Sequence, residues 1–108
     1  MIRFLCPYLK GEVELTKERE RHIGERHPDL LPEHRVQMAE TLSDPDQVRR
    51  SPRFAGARLF SRWYNNKDRS KYVVVVVVSQ SDPRARHWII TAYLTRKLAE
   101  GEVEWNRS

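Results

Sequence analysis

At 108 residues the chain is long enough for one domain with one hydrophobic core and too short for two. Its 39% hydrophobic and 32% charged residues exclude wholesale disorder. A formal net charge of +5 favours a polyanionic partner, either nucleic acid or an anionic surface.

The lone Cys6 cannot close an internal disulfide or seed a cysteine-based zinc site, and it reads as a small buried hydrophobe. The opening "MIRFLCPYLK" has a short apolar run broken by Pro7, unlike a signal peptide. The longest aliphatic run, the six valines of "VVVVVV", is far below the roughly 20 residues that a bilayer crossing needs. A cytoplasmic protein without membrane association is expected.

In chain order, "IRFLC" and "EVEL", separated by "PYLKG", read as two strands of an extra N-terminal hairpin or as an extended arm over residues 1–15. Thr16 is a good N-cap, and the stretch from Lys17 to about Arg26 is free of proline, which predicts a first helix despite Gly24. Pro28 pushes His27 out of helical geometry and ends that helix. A second helix is predicted from Pro32, a favoured first-turn residue, to about Leu42, with Leu31, Met38 and Leu42 on one core-facing stripe. "SDPD" then punctuates the chain.

Residues 46–96 change to strand patterns: "QVRRS", "ARLFSRWY", "KYVVVVVVS" and "RHWIITAYLT". The breaks between them, "SPRFAG", "NNKDRS" and "QSDPRAR", are all turn-forming, so consecutive antiparallel pairing is the economical topology. The expected fold is a single α+β domain with two helices (16–42) packed on one face of a four-stranded antiparallel sheet, then a C-terminal extension over 97–108. The valine strand is apolar on both faces. It must be covered on both sides or joined to a partner, which allows a homodimer through the valine-rich sheet. In the last strand, Trp88, Ile90, Ala92 and Leu94 are expected to form the core face, and Ile89, Thr91, Tyr93 and Thr95 the opposite one.

The first helix carries "RHIGERHP", with titratable groups where a docking helix would show an apolar stripe. His22 and Arg26 lie about 40° apart, one turn from each other, while His22 and His27 diverge by about 140°. The histidine spacing is not that of a helical metal pair, so no metal site and no cofactor are expected. An imidazole can give or take a proton at neutral pH, and a guanidinium can hold two phosphate oxygens. Metal-free RNA cleavage needs these parts: a base for the 2′-OH, an acid for the leaving oxygen and a cation for the phosphate. His87 and His34 read as structural.

Between Asp46 and Lys71 eight basic residues (Arg49, Arg50, Arg53, Arg58, Arg62, Lys67, Arg69, Lys71) face two acidic ones (Asp46, Asp68). That surplus of six exceeds the net charge of the whole chain. Arg58, Phe60, Arg62 and Tyr64 alternate onto one strand face, interleaving cations with aromatics as phosphate contacts plus base stacking would require. The expected nucleic-acid contacts are therefore Arg26, Arg49, Arg50, Arg53, Arg58 and Tyr64.

Taken together, "ERERHIGERHPDLLP", "TLSDPDQVRRS", "ARLFSRWY", "YVVVVVV" and "WIITAYLTRKLAEGEVEW" resemble the phage-associated barnase, EndoU, colicin and RelE-like (PBECR) nuclease domains, from about Leu15 to Trp105. The resemblance implies two helices on a four-stranded antiparallel sheet and a metal-independent ribonuclease cleft on the open sheet face. It implies a site built from His22 and His27, Arg62, Thr91 and Tyr93, with Lys97 as a further phosphate contact. RNA, including tRNA, is then the expected partner, and a toxin-like nuclease implies an inhibitor or immunity protein. Two rivals stand beside this expectation: a non-catalytic RNA- or DNA-binding module on the same basic face, and an interaction domain that dimerises through the valine strand.

Overall fold

A computed structural model of the chain describes residues 1–65, 70–81 and 83–107. Lys67, Asp68 and Arg69 of the basic segment lie outside the described residues. The order of elements is β1 (Ile2–Cys6), a 3₁₀ turn (Pro7–Leu9), β2 (Gly11–Leu15), α1 (Lys17–Arg26), α2 (Arg35–Ser43), β3 (Gln47–Arg50), β4 (Ala57–Tyr64), β5 (Lys71–Gln80), β6 (Arg86–Thr95) and β7 (Val103–Asn106).

The α+β class holds, but the sheet is not four-stranded. Seven strands form one mixed sheet in the order β1-β2-β6-β5-β4-β3-β7. The expected meander of β3 to β6 is its centre, with successive antiparallel pairs. Two further segments extend it. The N-terminal hairpin docks β2 parallel to β6 through Val13 opposite His87 and Glu14 opposite Trp88. It does so because Phe4, Cys6, Val13 and Leu15 all bury on the same core face, while Leu5 stays 65% exposed. At the other edge the supposed C-terminal extension supplies β7, whose Trp105 lies opposite Val48. With β4 and β6 paired along its two sides, β5 has no free edge, so a second copy could meet the valines only through a sheet face.

One face of the sheet carries the main core. Ile23, Leu30, Leu31, Met38 and Leu42 from the helical region pack on Val48, Phe60, Val73, Val75, Val77, Ile89 and Ala92. Thr16 caps α1 as expected, its Oγ1 accepting from the Arg19 backbone N–H at 3.1 Å. The second helix begins at Arg35 rather than Pro32, because residues 28–34 form turns that carry Leu30 and Leu31 together into the core. Among the described residues no helix is long and apolar enough to cross a membrane.

The other face is lined by Ala57, Val74 and Val76 with Leu59, Tyr72, Val78, Ile90, Tyr93 and Leu98 packed against them. A β-bulge decides which β6 residues join it. Val77 pairs with Ile89 and Val76 with Thr91, leaving Ile90 without a partner in the ladder. The extra residue breaks the strict alternation expected of this strand. Ile89 therefore turns into the main core with Ala92 and Leu94, while Ile90 joins Tyr93 on the open face.

Candidate active site

The parallel pairing of β2 with β6 stops at Trp88, so the rest of β6 has room for another neighbour. Helix α1 takes that place. Its Ile23 is fully buried in the core, and on its other side Arg19 Nη1 donates to the carbonyl oxygen of Ile90 at 3.3 Å. The bulge frees that carbonyl from the ladder, and the arginine satisfies it. The sparse apolar surface of α1 follows from this position: one residue faces oil and the remainder faces a groove and solvent.

The groove runs over the open sheet face as two adjoining hollows. One, of about 580 Å³, is lined by residues that include Arg53, Phe54, Leu59, Thr91, Tyr93 and Glu100. The second, of about 660 Å³, joins Arg19, His22, Arg53, Phe54, Trp88 and Thr91. Arg53, Phe54, Ile90 and Thr91 belong to both, so the β3–β4 turn overhangs a floor made by β6. Volumes of this size fall in the range that takes a small ligand or a nucleotide.

Of the residues singled out from the sequence, His22, Arg53, Thr91 and Tyr93 line this groove. His27, the α1 C-cap, lines neither hollow but packs its imidazole against Tyr93, with ring centroids 6.1 Å apart. Burial pushes the Tyr93 phenol up from its ordinary value, partly offset by the positive Arg53. The phenol is therefore a neutral hydrogen-bond donor at pH 7. Arg26 is exposed and lines neither hollow. Lys97 is exposed in a turn closed by Thr95, whose Oγ1 accepts from its backbone N–H at 3.2 Å.

The remaining expected contacts are elsewhere. Arg62 lies on the helix-covered side of β4 and gives its Nη1 to the Asp44 carbonyl oxygen at 2.6 Å and to Asp44 Oδ2 at 3.1 Å. Arg58 and Arg50 converge on Glu104 at 2.7 and 2.6 Å. Arg49 bonds Gln47 and the Ala99 carbonyl oxygen. Tyr64 donates to Glu40 Oε1 at 2.8 Å, and burial with that carboxylate pushes its phenol up to about 12. The strand face of Arg58, Phe60, Arg62 and Tyr64 thus lies on the core side of the sheet, away from this groove. A smaller hollow of about 330 Å³ on that side, lined by His34, Tyr64, Lys71 and Val73 among others, holds none of the groove residues. His87 sits against Ser79, with Nδ1 and Oγ 2.7 Å apart, a structural position.

Arg19, Phe54 and Glu100 are among the groove residues that were not picked out from the sequence. Arg19 looked like one of many helix-surface charges, and no local signal marks it, since its role depends on the Ile90 bulge. Phe54 had a signal, an aromatic in the turn-forming "SPRFAG", and the structure leaves that residue 57% exposed. The chain matches no protein-family model, no curated protein and no solved structure.

Proposed function

We propose that this protein is a metal-independent endoribonuclease that cleaves cytoplasmic RNA in the groove on the open sheet face. One juxtaposition carries the proposal: His22, Arg53 and Thr91 line a single hollow, and Tyr93, against which His27 packs, lines the adjoining one. In the proposed step one imidazole takes the proton of a ribose 2′-OH, and the freed oxygen attacks phosphorus. The bond from phosphorus to the 5′-oxygen breaks, and the second imidazole gives that oxygen a proton. A 2′,3′-cyclic phosphate and a 5′-hydroxyl result. Arg53 and the neutral phenol of Tyr93 hold the phosphoryl oxygens as charge builds, and the Thr91 hydroxyl adds a further contact.

Incubation of purified protein with single-stranded RNA and tRNA in chelator, at several pH values from about 5 to about 8, should yield cyclic-phosphate ends. His22→Ala should slow cleavage by about 10²- to 10⁴-fold. RNA left intact throughout, with binding unaltered in His22→Ala, would remove the ribonuclease proposal. A second reading is a binding module without turnover, favoured by one observation: Arg62, which the family resemblance puts in the site, is engaged by Asp44 on the far side of the sheet. Salt-sensitive binding without any cleavage would select it.

A further inference from the structure

The groove is more apolar than a phosphate site requires. Its floor is Leu59, Val76 and Ile90, and its overhanging wall is Phe54, which is 57% exposed. An aromatic ring held in solvent above an apolar floor is unexplained by folding, because it buries little of its own surface. The turn that carries it is nevertheless fixed. Ser51 Oγ accepts from the backbone N–H groups of Arg53 and Phe54 at 3.2 and 3.3 Å. The Ala57 N–H returns to the Phe54 carbonyl at 3.2 Å, and the Ser51 N–H bonds the Ala57 carbonyl at 3.0 Å. Four hydrogen bonds thus hold a six-residue turn so that consecutive side chains, a cation and an aromatic, both reach the groove.

We infer that Phe54 is a stacking residue for an unpaired nucleobase, which enters the groove between its ring and the floor of Leu59, Val76 and Ile90, while Arg53 holds the adjoining phosphate. The charge of the groove suits that occupant. Arg53 and Arg19 form no ion pair among the described residues, Arg19 giving one N–H to the Ile90 carbonyl, so two arginines stand against the single carboxylate of Glu100 in the lining. The consequence is a restriction of substrate class. A base stacked in a duplex cannot enter, so the groove takes single-stranded RNA or a loop and refuses a continuous helix. The inference rests on the proposal that RNA occupies this groove, and it adds which form of RNA and which residue reads it.

The test separates binding from cleavage by using His22→Ala as the background. Fluorescence anisotropy with a labelled single-stranded RNA should show that adding Phe54→Ala weakens binding by about 5- to 150-fold, the usual worth of one base–aromatic stack. The slope of log affinity against log salt should not change. Adding Arg53→Ala instead should reduce that slope by about 0.7, the value of one phosphate contact on a single strand. A fully paired duplex of the same sequence should bind more weakly than the single strand. Equal affinity with and without Phe54, or equal binding of duplex and single strand, would overturn the stacking site even if the wild type cleaves RNA. Conversely, Phe54-dependent binding by a wild-type protein that never cleaves would remove the ribonuclease proposal and leave the stacking site standing.

Discussion

Glu104 is the point at which the unexpected seventh strand is fastened to the rest of the molecule, and Glu104→Ala tests that. Its Oε1 accepts from the Tyr8 hydroxyl at 2.7 Å and from Arg58 Nε at 2.7 Å, and its Oε2 from Arg50 Nε at 2.6 Å. The carboxylate side chain is 15% exposed, Arg58 is 28% and Arg50 is 64% exposed. A bond to a charged acceptor contributes about 1.5–3 kcal/mol when buried, and partial exposure brings the Tyr8 and Arg58 bonds to about 1 kcal/mol each. The Arg50 pair is a surface ion pair and adds about 0.5 kcal/mol. The sum is about 2.5 kcal/mol, or about 10 °C in Tm at about 4 °C per kcal/mol for a domain of this size. Thermal unfolding followed by circular dichroism measures it, with Glu102→Ala at an exposed carboxylate as the control. A Tm within about 2 °C of that control would refute the clamp. The bonds from Arg58, Tyr8 and Arg50 outweigh burial and hold Glu104 below the usual carboxylate range. Its contribution is therefore complete above the unfolded carboxylate value and is lost as pH falls through the lower folded one. The gap between wild type and variant should narrow as pH falls below the ordinary glutamate value.

Two further substitutions probe the same frame and an arginine that lies outside the groove. At Gly101 an added Cβ would lie 2.5 Å from the Arg50 carbonyl oxygen, so Gly101→Ala must push the approach to β7 away from β3. It should cost about 1–3 kcal/mol in denaturant unfolding, and an unchanged midpoint would show that the close crossing is not maintained in solution. Arg62→Ala should lower Tm through the lost contacts to Asp44, yet leave the rate of RNA cleavage by folded protein within about threefold. A loss of 10² or more in that rate would return Arg62 to the catalytic set.

The elements that local pattern could place were those whose signals are local. Thr16 marked the start of α1, Pro28 its end, and the turn residues around the β3 to β6 meander marked every strand of it. The width of the sheet was not legible, because it depends on pairings between distant segments. Whether "EVEL" ends as a free arm or docks beside β6 is decided by Val13 and Leu15 meeting a core assembled mostly from later residues. The last strand was hidden differently: "GEVEW" does alternate, but so short a run is a weak signal, and what stabilises the four-residue strand is Glu104 finding Tyr8 from the other end of the chain. The bulge at Ile90 left no trace at all. A run of Trp, Ile, Ile, Thr and Ala is compatible with either phase of alternation, and only the packing of Ile89 beneath the helices selects one.

Charge behaved in the opposite way from hydrophobic pattern, being plain as a sum and illegible as a map. Between Asp46 and Lys71 cations outnumber anions four to one, so the local sequence suggests a long unsatisfied basic strip. Folding brings the missing anions from outside: Glu104 to Arg50 and Arg58, and Asp44 to Arg62. Strand residues are exposed to this kind of cancellation because a sheet lays distant segments side by side at a fixed spacing. Arg53 lies in the turn between β3 and β4, outside any strand, and among the described residues it forms no ion pair. The position that looked least organised in the sequence, a turn of proline, arginine, phenylalanine, alanine and glycine, is thus where a cation stays available for a ligand. An arginine is more informative about binding where the chain leaves the sheet than where it runs within it.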